Sequence, residues 1–248
     1  MRNLCIDIGN TRAKFAVFDD AQVIDNWTIP NDKDFFIDDR FERIDGAMMC
    51  STIDVNEKML EAFLQLNCPI HEILSWQTPI PVENLYSTPQ TLGMDRLAAV
   101  VGAFALHPNN DILVIDNGTA ITYDFVNASG QYLGGNISPG VALRFKALHS
   151  FTARLPLVEE EGEKPPFGIS TSTAIRCGVL DGVRHEIEGT INEMIVKYPN
   201  LLVFLTGGHG FDFDVSLKKR IFADKLLVLK GLDRILRYIQ ALQDNKKE

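Results

Sequence analysis

Apolar residues fall in short runs broken by glycine, proline and acidic pairs, a rhythm that predicts alternating strands and helices. Residues 4–8 read as a buried strand. Residues 13–19 set Phe15 and Val17 against Lys14 and Ala16, giving a second strand, and residues 22–29 are a third, with Asp19-Asp20 turning between the last two. Residues 46–51 form another apolar strand. Met59, Leu60, Phe63 and Leu66 recur at helical spacing, so 55–66 is expected to be a helix, followed by a strand over 70–76. Pro79 and Pro81 exclude helix interior. Residues 92–106 then read as a helix closed by His107-Pro108-Asn109-Asn110. The second half restarts this order. Strands are expected over 111–116, 120–126 and 132–137, and Pro139-Gly140 opens a helix over 141–150. A long helix over 173–197 follows, then strands over 201–206 and 226–229, an amphipathic helix over 232–242 and a fraying end. Two lobes, 1–110 and 111–248, are the expected domains.

Two strand ends carry the same device. Asp7 is followed by Gly9 and Thr11, and Asp116 by Gly118 and Thr119. Glycine without a Cβ lets the chain turn sharply. Exposed amides and a hydroxyl there can wrap phosphate oxygens, while the carboxylate holds a cation or its water shell. A duplicated copy points to two related halves facing a nucleotide.

The 248 residues carry a net charge of −9, which argues against nucleic acid as a partner. Phosphates remain compatible, because backbone amides and metal ions can hold them. Cys5, Cys50, Cys68 and Cys177 form no CxxC and read as free thiols; no Cys/His zinc pattern exists. His71, His107, His149, His185 and His209 lie at no metal-ligand spacing. The apolar run over 97–106 is too short to span a bilayer, and residues 1–4 run straight into a strand pattern. A cytoplasmic protein without signal peptide or membrane contact is expected.

Asp7-Ile8-Gly9-Asn10-Thr11 with Lys14, Asp116-Asn117-Gly118-Thr119 with Thr122, and Leu205-Thr206-Gly207-Gly208 resemble the phosphate and adenosine motifs of the actin-like ATPase superfamily. Tyr86-Ser87-Thr88-Pro89, Gly93-Met94-Asp95-Arg96, Gly134 through Gly140, and Thr171-Ser172-Thr173-Ala174 with Gly178 narrow the likeness, across nearly the whole chain, to type III pantothenate kinase. The resemblance implies an α/β fold of duplicated actin-like (ribonuclease H-like) domains, with mixed five-stranded sheets flanked by helices. It also implies ATP-dependent phosphorylation of pantothenate to 4′-phosphopantothenate, with Mg2+ and a monovalent cation, K+ or NH4+, in a homodimer.

Carried over by motif, the nucleotide falls to Asp7, Ile8, Gly9, Asn10, Thr11, Arg12, Ala13, Lys14, Thr119, Gly207 and Gly208. Asp7 would meet magnesium through water and Asp116 the monovalent cation. Tyr86, Gly93, Met94, Asp95, Arg96 and Thr171 would bind substrate, with Asp95 as general base and Thr171 serving the neighbouring protomer. Ser170 stands where the family commonly has asparagine. Read without the family, several of these stay open. Asp95 equally fits a helix cap, Arg96 a surface ion pair, Tyr86 a half-buried core aromatic, and Lys14 a solvent-facing strand residue. The acidic stretch over 159–166 is a solvated loop or a flap. Other small-molecule kinases of the superfamily, and nucleotide-dependent regulatory proteins, share the nucleotide motifs.

Overall fold

The computed structural model describes residues 1–31, 43–55, 57–208 and 219–245; His209 lies outside them. By its contacts the chain divides into two compact units. The first comprises Met1–Asn109, Val126–Gly134 and Leu226–Glu248, and the second Asn110–Phe125 and Gly135–Lys225.

The first unit is built on a five-stranded sheet in the order β3-β2-β1-β4-β5. Its strands are β1 (Arg2–Ile8), β2 (Arg12–Asp19), β3 (Gln22–Pro30), β4 (Gly46–Ser51) and β5 (Ile70–Ile73). β1, β2 and β3 run antiparallel, whereas β4 and β5 join in parallel. Alternation along β1 assigns its two faces. Leu4, Ile6 and Ile8 enter a core with Phe15, Val17, Met49 and the buried Met59 and Phe63 of helix α1 (Glu57–Leu64). Asn3, Cys5 and Asp7 alternate with these and lie on the opposite face. There the C-terminal helix packs on β1, and the Asn3 amide donates to Asp233 at 2.8 Å.

Helices α2 (Met94–Leu106) and α5 (Leu227–Asp244) pack on one another in this unit. Gly102 and Gly231 permit it: a Cβ on Gly102 would stand 2.5 Å from the Leu227 carbonyl, and one on Gly231 would run into the Ala98 carbonyl.

A six-stranded sheet, β11-β10-β7-β8-β9-β6, repeats the plan. Strands β7 (Ile112–Asn117), β8 (Ala120–Val126) and β9 (Gln131–Pro139) take the places of β1 to β3. β10 (Leu202–Gly207) and β11 (Ile221–Ala223) run parallel to β7, as β4 and β5 do to β1. One face of β7, β8 and β10 buries Leu113, Ile115, Ile121, Tyr123 and Val203 against α3 (Val141–Ser150) and α4 (Thr171–Lys197), through Val141, Phe145, Val183 and Ile187. The sixth strand is β6 (Glu83–Asn84), a two-residue pairing with Gln131 and Tyr132 of the hairpin tip that belongs to the first unit.

Two expectations from the pattern are corrected. Residues 226–229 are the first turn of α5 and no strand; the missing strand is Ile221–Ala223. The second sheet holds six strands, since β6 was unreadable in two residues.

Candidate active site

In the first unit, Asp7 ends the inner strand β1 and is only 6% exposed. Parallel register places Cys50 of β4 beside it, and antiparallel register places Lys14 of β2 on its other side. The Cys50 thiol donates to Asp7 Oδ1 at 3.6 Å, and Lys14 Nζ lies 3.6 Å from Oδ2. Lys14 therefore turns toward the carboxylate and not away to solvent. Burial pushes the Asp7 carboxyl above its ordinary range, and Lys14 and Cys50 pull it part of the way back.

The turn after Asp7 is closed by the Gly9 amide donating to the Arg12 carbonyl at 3.1 Å, and Asn31 donates to the Gly9 carbonyl at 2.6 Å. Asn10, Thr11 and Arg12 are exposed at this tip, so their polar groups are accessible. Ile8 and Ala13 are core residues, which leaves only their backbone for a ligand.

Gly93 caps α2, with Asp95 in the first turn. The Asp95 carboxylate folds back over Gly93, where a Cβ would stand 2.6 Å from Oδ1. A negative charge in a first turn is favoured by the helix dipole. Burial first, and then the charges of Asp7 and Asp95, push the Cys50 thiol well above its ordinary range. Asp95 thus lies within electrostatic reach of the thiol that bonds Asp7. A cleft of about 570 Å3 opens here, lined by Ser51, Thr52, Ile53, Asp54, Leu92, Gly93 and Met94.

Arg96, one residue on, is 6% exposed and reaches over the Tyr86 ring, 5.8 Å from its centroid. Tyr86 stacks on the fully buried Tyr132 at 6.1 Å. The pairing that places it runs from β6: the Leu85 amide donates to the Tyr132 carbonyl at 3.0 Å. Tyr86, Arg96, Asp95 and Asp7 therefore all sit in the first unit. Tyr132 and Cys50, which support two of them, carried no signal in the sequence beyond an apolar strand position.

In the second unit, Asp116 of β7 is half-buried above Gly207, where a Cβ would stand 2.6 Å from Oδ1 at a φ of +96°. The Gly208 amide donates to the Asn117 carbonyl at 3.1 Å, and the Gly140 amide to the Thr119 carbonyl at 3.0 Å. Residues 116–119, 138–140 and 207–208 thus form one backbone cradle, with Thr119 and Gly208 exposed.

A side-chain strut braces it. Arg144 Nε donates to the Pro139 carbonyl at 2.8 Å and Nη2 to Ser138 Oγ at 3.0 Å. The same guanidinium pairs with Glu186, which also accepts from the Tyr123 hydroxyl at 2.8 Å. Partial burial would raise the Glu186 carboxyl, but the bonds from Arg144, Tyr123 and Ser138 outweigh it and hold it below its ordinary value. Tyr123 is pushed the other way, by burial and then by Glu186. These residues are far apart in sequence, and no local motif marks them.

Thr206 of β10 pairs in register with Asp116. It is 5% exposed, and its hydroxyl has no hydrogen-bond partner among the described residues. Thr171 is exposed at the first turn of α4, where Ser170 is the cap. Ser170 accepts from the Thr173 amide and Thr173 bonds back, so serine serves a capping role at this departure from the family pattern. Among the described residues, no group of three or more His, Cys, Asp or Glu could hold a metal, and no helix is long and apolar enough to cross a membrane.

The duplicated sheet, with an aspartate-glycine turn at the end of each leading inner strand, is the arrangement that the resemblance to the actin-like ATPases implies. A Baf family protein from Campylobacter jejuni superposes with a TM-score of 0.58 at 24% identity, covering 96% of this chain and 99% of that one. The ethanolamine utilization protein EutJ from Carboxydothermus hydrogenoformans gives 0.52 at 14% identity, covering 95% and 90%. Within that class the sequence is specific. The model of the type III pantothenate kinase family matches residues 3–193. A type III pantothenate kinase from Bacteroides fragilis is 53% identical over 238 residues, 95% of this chain and 98% of its own length. One from Phocaeicola vulgatus is 49% identical over 247 residues, with 95% and 98% covered. The chain belongs to the type III pantothenate kinase family.

Proposed function

We infer that this chain performs its family's reaction with the residues described above. It is an ATP-dependent pantothenate kinase, and its product, 4′-phosphopantothenate, enters coenzyme A biosynthesis. The observation that best supports the residue assignments is that the cleft is lined by Ser51, next to the Cys50 that bonds Asp7, and by Gly93 and Met94 at the start of the helix that carries Asp95 and Arg96, with Arg96 over the Tyr86 ring.

Asp95 orients the primary hydroxyl of pantothenate and accepts its proton late. That is sufficient for a loose phosphoryl-transfer transition state, in which positioning outweighs deprotonation. Arg96 offers a planar fork to the pantothenate carboxylate, and Tyr86 supplies an aromatic wall. Residues 7–14 of the first unit are the triphosphate-binding residues, and Thr119, Gly207 and Gly208 of the second are its further nucleotide-binding residues. Thr171 serves the partner protomer of a homodimer, a reading supported by the exposed Phe167 and Ile169 beside it.

The residues fit the ions this chemistry uses. With no dedicated metal cluster among the described residues, magnesium would be held by phosphate oxygens, water and the single carboxylate of Asp7, as is usual for nucleotide-bound magnesium. Asp116, with the unpartnered hydroxyl of Thr206 beside it, offers hard oxygen donors for a monovalent cation. When bound, these ions neutralise phosphate charge. A cytoplasmic location follows from the substrates.

The test is mass spectrometry of the product from ATP and pantothenate, with and without potassium or ammonium. A mass gain of one phosphoryl on pantothenate is expected. A product only from another acceptor, or ATP-dependent assembly with no phosphorylated product, would replace the reading. Asp95→Asn should lower kcat about 10²- to 10⁴-fold while nucleotide affinity holds. Unchanged turnover would remove Asp95 from its role.

A further inference from the structure

The two units place the same strand positions side by side, and they treat them differently. In the first, Asp7 and Cys50 are register partners, and the thiol bonds the carboxylate at 3.6 Å. In the second, Asp116 and Thr206 are register partners on equivalent strands, but the threonine hydroxyl has no hydrogen-bond partner among the described residues. A buried hydroxyl left without a bond destabilises a fold, so its presence calls for a cause.

Alternation supplies the direction. Leu113 and Ile115 of β7 and Val203 of β10 enter the core under α3 and α4. Asp116 and Thr206 alternate with them and therefore share the other face, at the carboxyl ends of two parallel strands. Thr122 and Asp124 of β8 alternate with Ile121, Tyr123 and Phe125 in the same way, so they lie on this face too, Asp124 being 1% exposed. The face thus gathers oxygen donors of both kinds, carboxylate and hydroxyl, beside the backbone cradle.

We propose that the Thr206 hydroxyl is a direct ligand of the monovalent cation held with Asp116, kept unbonded in the ligand-free protein for that purpose. This rests on the reading of Asp116 given above. Oxygen donors suit a hard cation, and a hydroxyl presents a lone pair without adding charge. Cys50 at the equivalent position serves structure; Thr206 serves a ligand.

Thr206→Val is nearly isosteric and separates the two roles. The ligand-free variant should melt at or above the wild-type temperature, because a buried unbonded group is removed. The rise in melting temperature that potassium gives the wild type over tetramethylammonium should be lost, and the potassium concentration for half-activation should increase about 10- to 100-fold. Thr206→Ser should keep both. A fall in ligand-free melting temperature for Thr206→Val would show a structural bond at the hydroxyl and overturn the proposal. So would a retained potassium shift, or a wild type in which potassium gives none. Because melting is read without turnover, failure here is distinct from failure to phosphorylate pantothenate, which the product assay reads on the wild type.

Discussion

Gly102→Ala tests whether the active-site helix is held by its close approach to α5. The new methyl would stand 2.5 Å from the Leu227 carbonyl, where ordinary contact begins at 3.4 Å. Relief requires the two backbones to part by about 0.9 Å, since the three nearest atoms, the Leu227 carbonyl oxygen and the Gly231 N and Cα, are all backbone. Overpacking of this kind costs about 1–3 kcal/mol. Alanine returns about 1 kcal/mol of helix propensity, so the net loss is about 0–2 kcal/mol. A control isolates the contact: Gly189 is exposed in the middle of α4, and its Cβ would meet nothing within 4 Å. Gly189→Ala should gain the propensity and pay no packing cost. At about 2–4 °C per kcal/mol for a chain this size, the two variants should differ in Tm by about 2–12 °C. Because α2 carries Asp95 and Arg96 at its start, Gly102→Ala should also lose turnover, up to about 10²-fold for a displacement near 1 Å. Scanning calorimetry and steady-state kinetics on both proteins settle it. Equal melting temperatures, or equal kcat, would refute the argument that this contact fixes the helix.

The cradle and the substrate wall give further tests. Arg144→Met removes the brace from Ser138 and Pro139, so nucleotide affinity by calorimetry should fall about 10-fold or more, while Arg144→Lys retains part of it. Glu186 is depressed below its ordinary 4.5, so its stabilisation is complete above that pH and is lost as pH falls through the lower folded value. The stability gap between wild type and Glu186→Gln should therefore narrow in denaturant titrations taken below pH 4.5; a constant gap would count against the strut. Tyr132→Leu should raise KM for pantothenate more than for ATP, because Tyr86 loses its stacking partner, and equal rises would count against that role.

How much of this was legible in the sequence depends on the range of the interactions. The leading strands of each half were readable because one face is buried and alternation survives, as in Phe15 and Val17 of β2. The cradle was readable because close backbone approach demands glycine, as at Gly207. The start of α5 was not. Leu227, Val228, Leu229, Gly231 and Leu232 are all buried, since this turn packs on α2 while the helix also covers β1 and β4. With no polar face there, a helical period has nothing to contrast with, and the run reads as a strand. The Arg144, Glu186 and Tyr123 strut was illegible for another reason. Its members are 42 and 63 residues apart, and only the packing of α3 and α4 on β8 joins them.

On the proposal above, the duplication lets one motif serve two kinds of contact. Asp7 is nearly sealed, and its partners Lys14 and Cys50 are within reach of both carboxylate oxygens. Burial raises its proton affinity, and the lysine opposes this; such a group is costly to strip further and suits contact through an ordered water shell. Asp116 is more open and lies on a bed of glycine, beside a hydroxyl that asks for a bond. That arrangement suits direct ligation of a weakly hydrated cation. The shared strand plan fixes where the two carboxylates stand, and the neighbour on the adjacent parallel strand, a thiol in one unit and a hydroxyl in the other, is the difference that the Thr206 variants test.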